Sequence, residues 1–385
     1  LPICLVTEQN LNFVKKFGRH RINATLVAER QQNNAENLRS ISTGFDISGL
    51  NLDALEVALQ TLPTETNEIE TSIESYLARV QYDAFNKYLL TVSARYDGSS
   101  RFAKDNKWGF FPSVGVAWRI SNEDFLKNSS ILSNAKLRAS YGETGNTQIG
   151  AYQSLERAGL SSYIFDGATL TSGSAINTLQ NNDLTWETTV QTDIGLSLGL
   201  FDNRINIEAD YYDKETRDLL LAVPLPATTG FTTSFQNLGT VNNKGYEFAI
   251  NTDIIQNANF TWNANFNISF NENKVLDLGG ADEFFVTAIG DNQIQNDYIV
   301  RVGESLGSIY GLQDDGVYTF SDFVEFDGLT DAEAADLLYS NVSGTENWYS
   351  VNIYNLKEGV VSNAIVAPGT YRPGMTKFKD HNEDG

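Results

Sequence analysis

Phe260-Thr-Trp-Asn-Ala-Asn-Phe-Asn-Ile-Ser-Phe270 decides the fold. Phe260, Trp262, Ala264, Phe266, Ile268 and Phe270 take every second position, and Thr261, Asn263, Asn265, Asn267 and Ser269 fill the gaps. Side chains alternate across a β-strand, so the segment reads as one strand with an oily face and a wet face. It is eleven residues long, where strands of soluble proteins average about 5–6 residues.

The same period recurs at 75–83, 88–97, 110–120, 135–142, 186–200, 205–212 and 245–251. The oily faces of these eight segments, with Tyr88, Leu90, Val92, Ala94 and Tyr96 as one example, contain no charged residue. The opposite faces carry Arg79, Arg95, Arg119, Lys136, Arg138, Glu187, Asp193, Glu208, Asp210 and Glu247. Two further strands near 9–16 and 21–30 flank a turn at Phe17-Gly-Arg-His20, which makes about ten.

The connections add independent information. Short links around Ala84–Lys87, Phe201–Arg204 and Gln256–Asn259, with Ser121–Asn134 somewhat longer, alternate with long ones. Loops at 31–73, 98–108, 143–185, 213–240 and 272–385 all fall at the other end of an antiparallel meander. One trimmed end and one decorated end is the pattern of outer-membrane barrels. Tyr76, Tyr82, Tyr88, Tyr96, Trp118, Tyr141, Trp186 and Tyr211 lie near strand ends on the oily face, where interfacial girdles belong. A soluble β-sandwich also alternates, but it predicts shorter strands and no asymmetry of loop length. The reading is therefore all-β, an antiparallel transmembrane β-barrel wall.

Composition narrows the function. The 385 residues hold 27 Lys and Arg against 49 Asp and Glu, a formal net charge of −22. Nucleic acid is excluded as a partner, since phosphate binding needs a basic face. No run approaches the ~18–20 apolar residues of a spanning helix. A single cysteine, Cys4, forms no internal disulfide, and with His20 and His381 it leaves too few soft ligands for an ordinary zinc site.

From about residue 88 the chain resembles the SusC/RagA family of TonB-dependent outer-membrane transporters. Arg95-Tyr-Asp-Gly-Ser-Ser-Arg-Phe102 and Trp108-Gly-Phe-Phe-Pro-Ser-Val-Gly-Val-Ala-Trp-Arg119 carry the likeness. Leu137-Arg-Ala-Ser-Tyr-Gly-Glu-Thr-Gly-Asn146, Trp186-Glu-Thr, Thr192-Asp-Ile-Gly195 and Asp210-Tyr-Tyr-Asp-Lys-Glu-Thr-Arg-Asp-Leu-Leu220 continue it. Asn237-Leu-Gly-Thr-Val-Asn-Asn-Lys-Gly-Tyr-Glu247, Val302–Gly311 and Asp380-His-Asn-Glu-Asp-Gly385 follow in order. The resemblance implies a 22-stranded barrel around an N-terminal plug. Residues 1–385 are then expected to be its middle-to-late part, with the plug, the TonB-contact segment and the closing strands outside them.

It also implies TonB-powered import of a large nutrient, most often an oligosaccharide and in some members a peptide. The expected partners are a SusD-like surface lipoprotein, the TonB complex and outer-membrane lipid. Trp348, Tyr349 and Tyr354 in the last loop are candidates for stacking on sugar rings, with packing within the loop as the competing reading. Asp380, Asn382 and Asp384 match the first half of a D-x-[DN]-x-[DN]-G calcium loop, so Ca²⁺ is the one metal to consider. Two other functions stay open: a non-transporting adhesive or binding barrel, and a glycan-active enzyme. No nucleophile–base constellation is present for the latter, and with 49 acids a carboxylate pair such as Asp314/Asp315 arises by chance.

Overall fold

The computed structural model describes residues 2–44, 58–62, 64–164, 170–286, 297–311, 313–342, 354–360 and 372–379. It divides into two compact units: Leu1–Phe284 with Val300–Leu306, and Phe285–Ile299 with Gly307–Gly385.

The first unit is built on one ten-stranded antiparallel sheet. Its strands are β1 (Pro2–Phe17), β2 (His20–Arg39), β3 (Glu65–Ala84), β4 (Tyr88–Ser99) and β5 (Trp108–Arg119). Then come β6 (Leu132–Asn146), β7 (Glu187–Leu200), β8 (Ile205–Arg217), β9 (Thr240–Gln256) and β10 (Thr261–Asp277). Spatial order follows chain order throughout, so each strand pairs only with its predecessor and its successor.

Register turns the alternation of each strand into two faces of the whole sheet. Ile22, Tyr82, Leu90, Val116, Ala139, Ile194, Tyr211, Tyr246 and Phe270 stand opposite one another in one continuous row. One residue along, the row reads Asn23, Gln81, Thr91, Gly115, Ser140, Asp193, Tyr212, Gly245 and Asn271. A slip of one residue in any strand would swap its faces, so these rows fix the register.

The apolar row is the open one. Val116, Ile194, Tyr246 and Phe270 are each more than half exposed. On the polar face Ser75, Asp97 and Ser99 are buried. A sheet for water would cover its oily side, whereas a barrel wall turns that side to lipid. From Tyr88 to Tyr96, eight residues at ~3.4 Å each span about 27 Å, close to the ~25 Å apolar band of outer-membrane barrels. No helix among the described residues is long and apolar enough to cross a membrane.

The strands run past their expected bounds at the loop end. Alternation marks only 21–30 and 75–83, yet β2 and β3 stay paired out to Arg39 and Glu65. Gln31-Gln-Asn-Asn-Ala-Glu-Asn37 is polar on both faces, since above the bilayer neither face needs to be oily. Much of the expected loop 31–73 is therefore ladder, and β6, β8 and β10 likewise extend into the loops expected at 143, 213 and 272. The remaining loops fold on themselves: Arg157–Ile164 pairs with Leu170–Thr178, and Leu220–Pro224 with Thr233–Asn237.

The second unit has its own core of Tyr318, Phe323, Phe326, Ala334 and Tyr354. Its helix α1 (Asp331–Val342) starts at a cap. There the Thr330 backbone N–H donates to Glu333 Oε2 at 2.9 Å and the Thr330 hydroxyl at 2.7 Å.

Candidate functional site

The wet face of the sheet is the surface that a barrel turns to its lumen, and its side chains are tied to one another. Ser93 and Ser113 hydroxyls lie 2.6 Å apart, Ser140 donates to Asp193 at 3.1 Å, and Tyr212 donates to Asn271 at 2.9 Å. Each bond crosses between strands, so the wall is knit by its side chains as well as its backbone.

Its centre is an ion pair that bridges a strand. Arg138 on β6 and Asp210 on β8 both stand opposite Gly195 on the intervening β7. Arg138 Nη2 donates to both Asp210 oxygens at 2.6 Å, and Nη1 donates to Ser197 Oγ at 2.6 Å. A Cβ on residue 195 would overlap Asp210 Oδ1, so glycine opens the path between the two charges. A shallow recess of about 650 Å³ lies here, lined by Thr91, Arg138, Ser140, Asp193, Asp210 and Lys214 among others.

A second recess, about 520 Å³, lies toward the loops, with Arg79, Arg95, Asp97, Phe111, Asn146 and Trp186 in its wall. Arg95 Nε donates to both oxygens of Asp97 at 2.8 Å, and Nη2 to Ser75 Oγ at 3.0 Å. Above it the loops share a core of Phe102, Phe111, Ile149, Leu184 and Trp186, with Leu220 and Phe235 packed against it. The Phe111 ring lies over Gly109 and Gly145, where any Cβ would overlap it. Trp186 is 7% exposed, packs against Phe102 and Phe111, and donates Nε1–H to Lys107 O at 2.9 Å. This corrects its placement in the lipid-facing girdle: it precedes β7 and turns into the loop core instead.

The turn end is tied by one carboxylate. Glu123, in the link between β5 and β6, accepts from Lys87 Nζ at 2.8 Å, Tyr88 Oη at 2.7 Å and Trp118 Nε1 at 3.1 Å. The bond from Lys87, then those from Tyr88 and Trp118, hold its pKa down at about 2.

Of the candidate site residues, Trp348, Tyr349, Asp380, Asn382 and Asp384 lie outside the described residues. Tyr354 is described and is 5% exposed, with its ring between Phe323 and Phe326 at centroid distances of 6.0 and 5.0 Å. A stacking surface must leave a ring face open to ligand, and Tyr354 leaves almost none, so it is corrected to a core residue of the second unit. Among the described residues no group of three or more His, Cys, Asp or Glu side chains is placed to hold a metal ion. Sequence reasoning missed the Arg138–Gly195–Asp210 bridge, whose parts sit 57 and 15 residues apart and meet only through register.

Residues 7–370 match the family model described as TonB dependent receptor-like, beta-barrel. Over 321 residues the chain is 38% identical to TonB-dependent receptor P3 of Formosa agariphila, covering 83% of this chain and 32% of that one. It is 38% identical over 241 residues to TonB-dependent receptor SusC of Bacteroides thetaiotaomicron, covering 61% of this chain and 23% of that one. Among solved structures, that of the RagAB peptide transporter superposes with a TM-score of 0.74 at 27% identity, covering 83% of this chain and 34% of that chain. The chain thus spans about a third or less of the length of these relatives. The family consists of transport receptors rather than enzymes. With its oily face outward and its wet face lined by polar and charged side chains, this sheet is outer-membrane barrel wall, and the chain belongs to the TonB-dependent receptor-like β-barrel family, in its SusC/RagA branch.

Proposed function

We propose that this chain forms the middle-to-late wall of a SusC-like importer that takes up a large nutrient across the outer membrane. TonB supplies the energy through a segment outside these residues, and a SusD-like lipoprotein covers the loop end. The observation that carries the reading is the lumen face. It carries both signs of charge in similar number, Arg79, Lys136 and Lys214 against Asp193, Glu208 and Glu247, with Arg138 paired to Asp210 and Arg95 to Asp97 and hydroxyl and amide groups between them. Such a wall exerts no strong field of one sign and offers many hydrogen bonds, which suits a neutral, hydroxyl-rich cargo. We therefore place an oligosaccharide first. The similarity to the RagAB peptide transporter supports a peptide as the second reading.

Trp348 and Tyr349 are proposed as stacking residues of the last loop, and Asp380, Asn382 and Asp384 as part of a Ca²⁺ loop. Titration calorimetry of the full-length protein showing no Ca²⁺ heat would remove the metal. Transport is tested by deleting the gene and comparing growth on oligosaccharide digests with growth on peptide digests. Loss of growth on one glycan class, restored by the intact gene, is the expected result. Loss on peptides alone would select the second reading, and unchanged growth on both would overturn import.

A further inference from the structure

The short turns repeat a chemical pattern that neither the lumen nor the loops use. Phe17 and Arg19 mark the first turn, Phe85 and Lys87 the second, Phe125 and Lys127 the third link, and Phe201 and Arg204 the fourth. The four rings are exposed at 43%, 42%, 73% and 49%. Phe85 and Phe201 sit at φ 58° and 53°, in the left-handed region where Gly or Asn is the low-cost residue. A ring that is largely outside any core and ill-suited to its turn calls for a partner outside the chain.

The cations point the same way. Lys87 is paired with Glu123. The other three have no carboxylate partner among the described residues: Arg19 lies with Cζ 5.7 Å from the Phe85 ring centroid, Arg204 Nη2 donates to the carbonyls of Asp253 and Ile254 at 3.2 Å, and Lys127 makes no ion pair. Across 15–21, 83–88, 119–131, 201–204 and 253–260, eight cations meet five acids: Asp83, Glu123, Asp124, Asp202 and Asp253. The whole chain has the opposite balance, 27 cations to 49 acids.

The pattern also faces lipid. Tyr88 and Trp118 stand opposite each other on the oily face, and Glu123 accepts from both. Glu123 therefore lies on the lipid side of the wall. At the first two turns His20 stacks on Phe17 at 5.4 Å and on Tyr82 at 5.8 Å, and meets Phe85 edge-on at 4.6 Å. In outer-membrane barrels the short-turn end lies at the periplasmic leaflet.

We propose that this turn end binds the headgroups of anionic phospholipids in the inner leaflet. The Phe rings enter the boundary between headgroups and acyl chains, and Arg19, Lys127 and Arg204 meet the phosphates. Lipid is the occupant, rather than free phosphate, because exposed rings accompany the cations, and His20 links Phe17 to Tyr82 of the oily face.

The test uses the full-length protein in nanodiscs of phosphatidylglycerol or of phosphatidylcholine. Wild type is expected to melt higher in phosphatidylglycerol. R19Q/K127Q, whose side chains make no hydrogen bond among the described residues, is expected to lose most of that difference while melting unchanged in phosphatidylcholine. Adding R204Q is expected to abolish it. Equal melting of wild type in both lipids, as a periplasmic protein partner would give, overturns the proposal. So does a double variant that keeps the full difference, or inorganic phosphate reproducing the shift in phosphatidylcholine discs.

Discussion

Arg138 and Asp210 belong to strands that do not touch, yet their side chains meet at 2.6 Å across the bare backbone of Gly195. Gly195→Val is expected to break the pair while leaving both charges on a partly covered wall. The loss is estimated at about 1–3 kcal/mol. Thermal unfolding of the full-length protein in detergent would read it. In an Arg138→Ala/Asp210→Ala background the same substitution should cost much less, because the groups it displaces are gone.

Glu123 gives the turn end a pH dependence of predictable sign. Its folded pKa of about 2 lies below the ordinary 4.5, so its bonds stabilise the link fully above about 4.5 and fade as pH falls toward about 2. Glu123→Gln should lower the melting temperature at neutral pH. Melts taken from pH 6 downward should show that gap closing, and a gap that stays constant to pH 2 would refute the assignment.

Trp186 should matter to the loops more than to the wall. Trp186→Ala removes the centre of a core that joins Phe102, Phe111, Ile149 and Leu184, at a cost of about 3–5 kcal/mol. Faster protease cleavage of the loops on intact cells is expected, with the barrel still inserted. Trp186→Phe keeps most of the packing but loses the bond to Lys107 O, about 1 kcal/mol.

Ser140 and Ala139 are neighbours on opposite faces of β6. Ser140→Trp projects into the recess beside Asp193 and should reduce uptake several-fold with normal membrane insertion. Ala139→Trp adds the same bulk on the oily face and should leave uptake unchanged. Equal effects from both would argue against passage along this wall.

The fold was readable wherever the bilayer imposed a rule. Phe260 to Phe270 must alternate because one face meets lipid and the other water, and no charge can be spared on the oily side. Above the bilayer that rule lapses, so the paired extensions to Arg39 and Glu65 leave no trace in the pattern of Gln31–Asn37. Trp186 carries the signature of a girdle residue, and only its contacts with Phe102 and Phe111 reveal a loop core. Tyr354 likewise passes for a ligand platform until Phe323 and Phe326 close on it. The Arg138–Asp210 bridge depends on two registers at once, which composition and period do not encode.

Because every strand pairs only with its chain neighbours, the sheet can grow one hairpin at a time, and no step waits on a distant segment. Closing a flexible loop costs only about 0.6 kcal/mol more for each doubling of its length. Between β6 and β7, and between β8 and β9, the intervening chain shortens that closure by pairing within itself. Contacts of small sequence separation favour fast folding even in all-β chains. The decorated end of this wall can therefore gain or lose residues with little effect on the order in which the strands assemble.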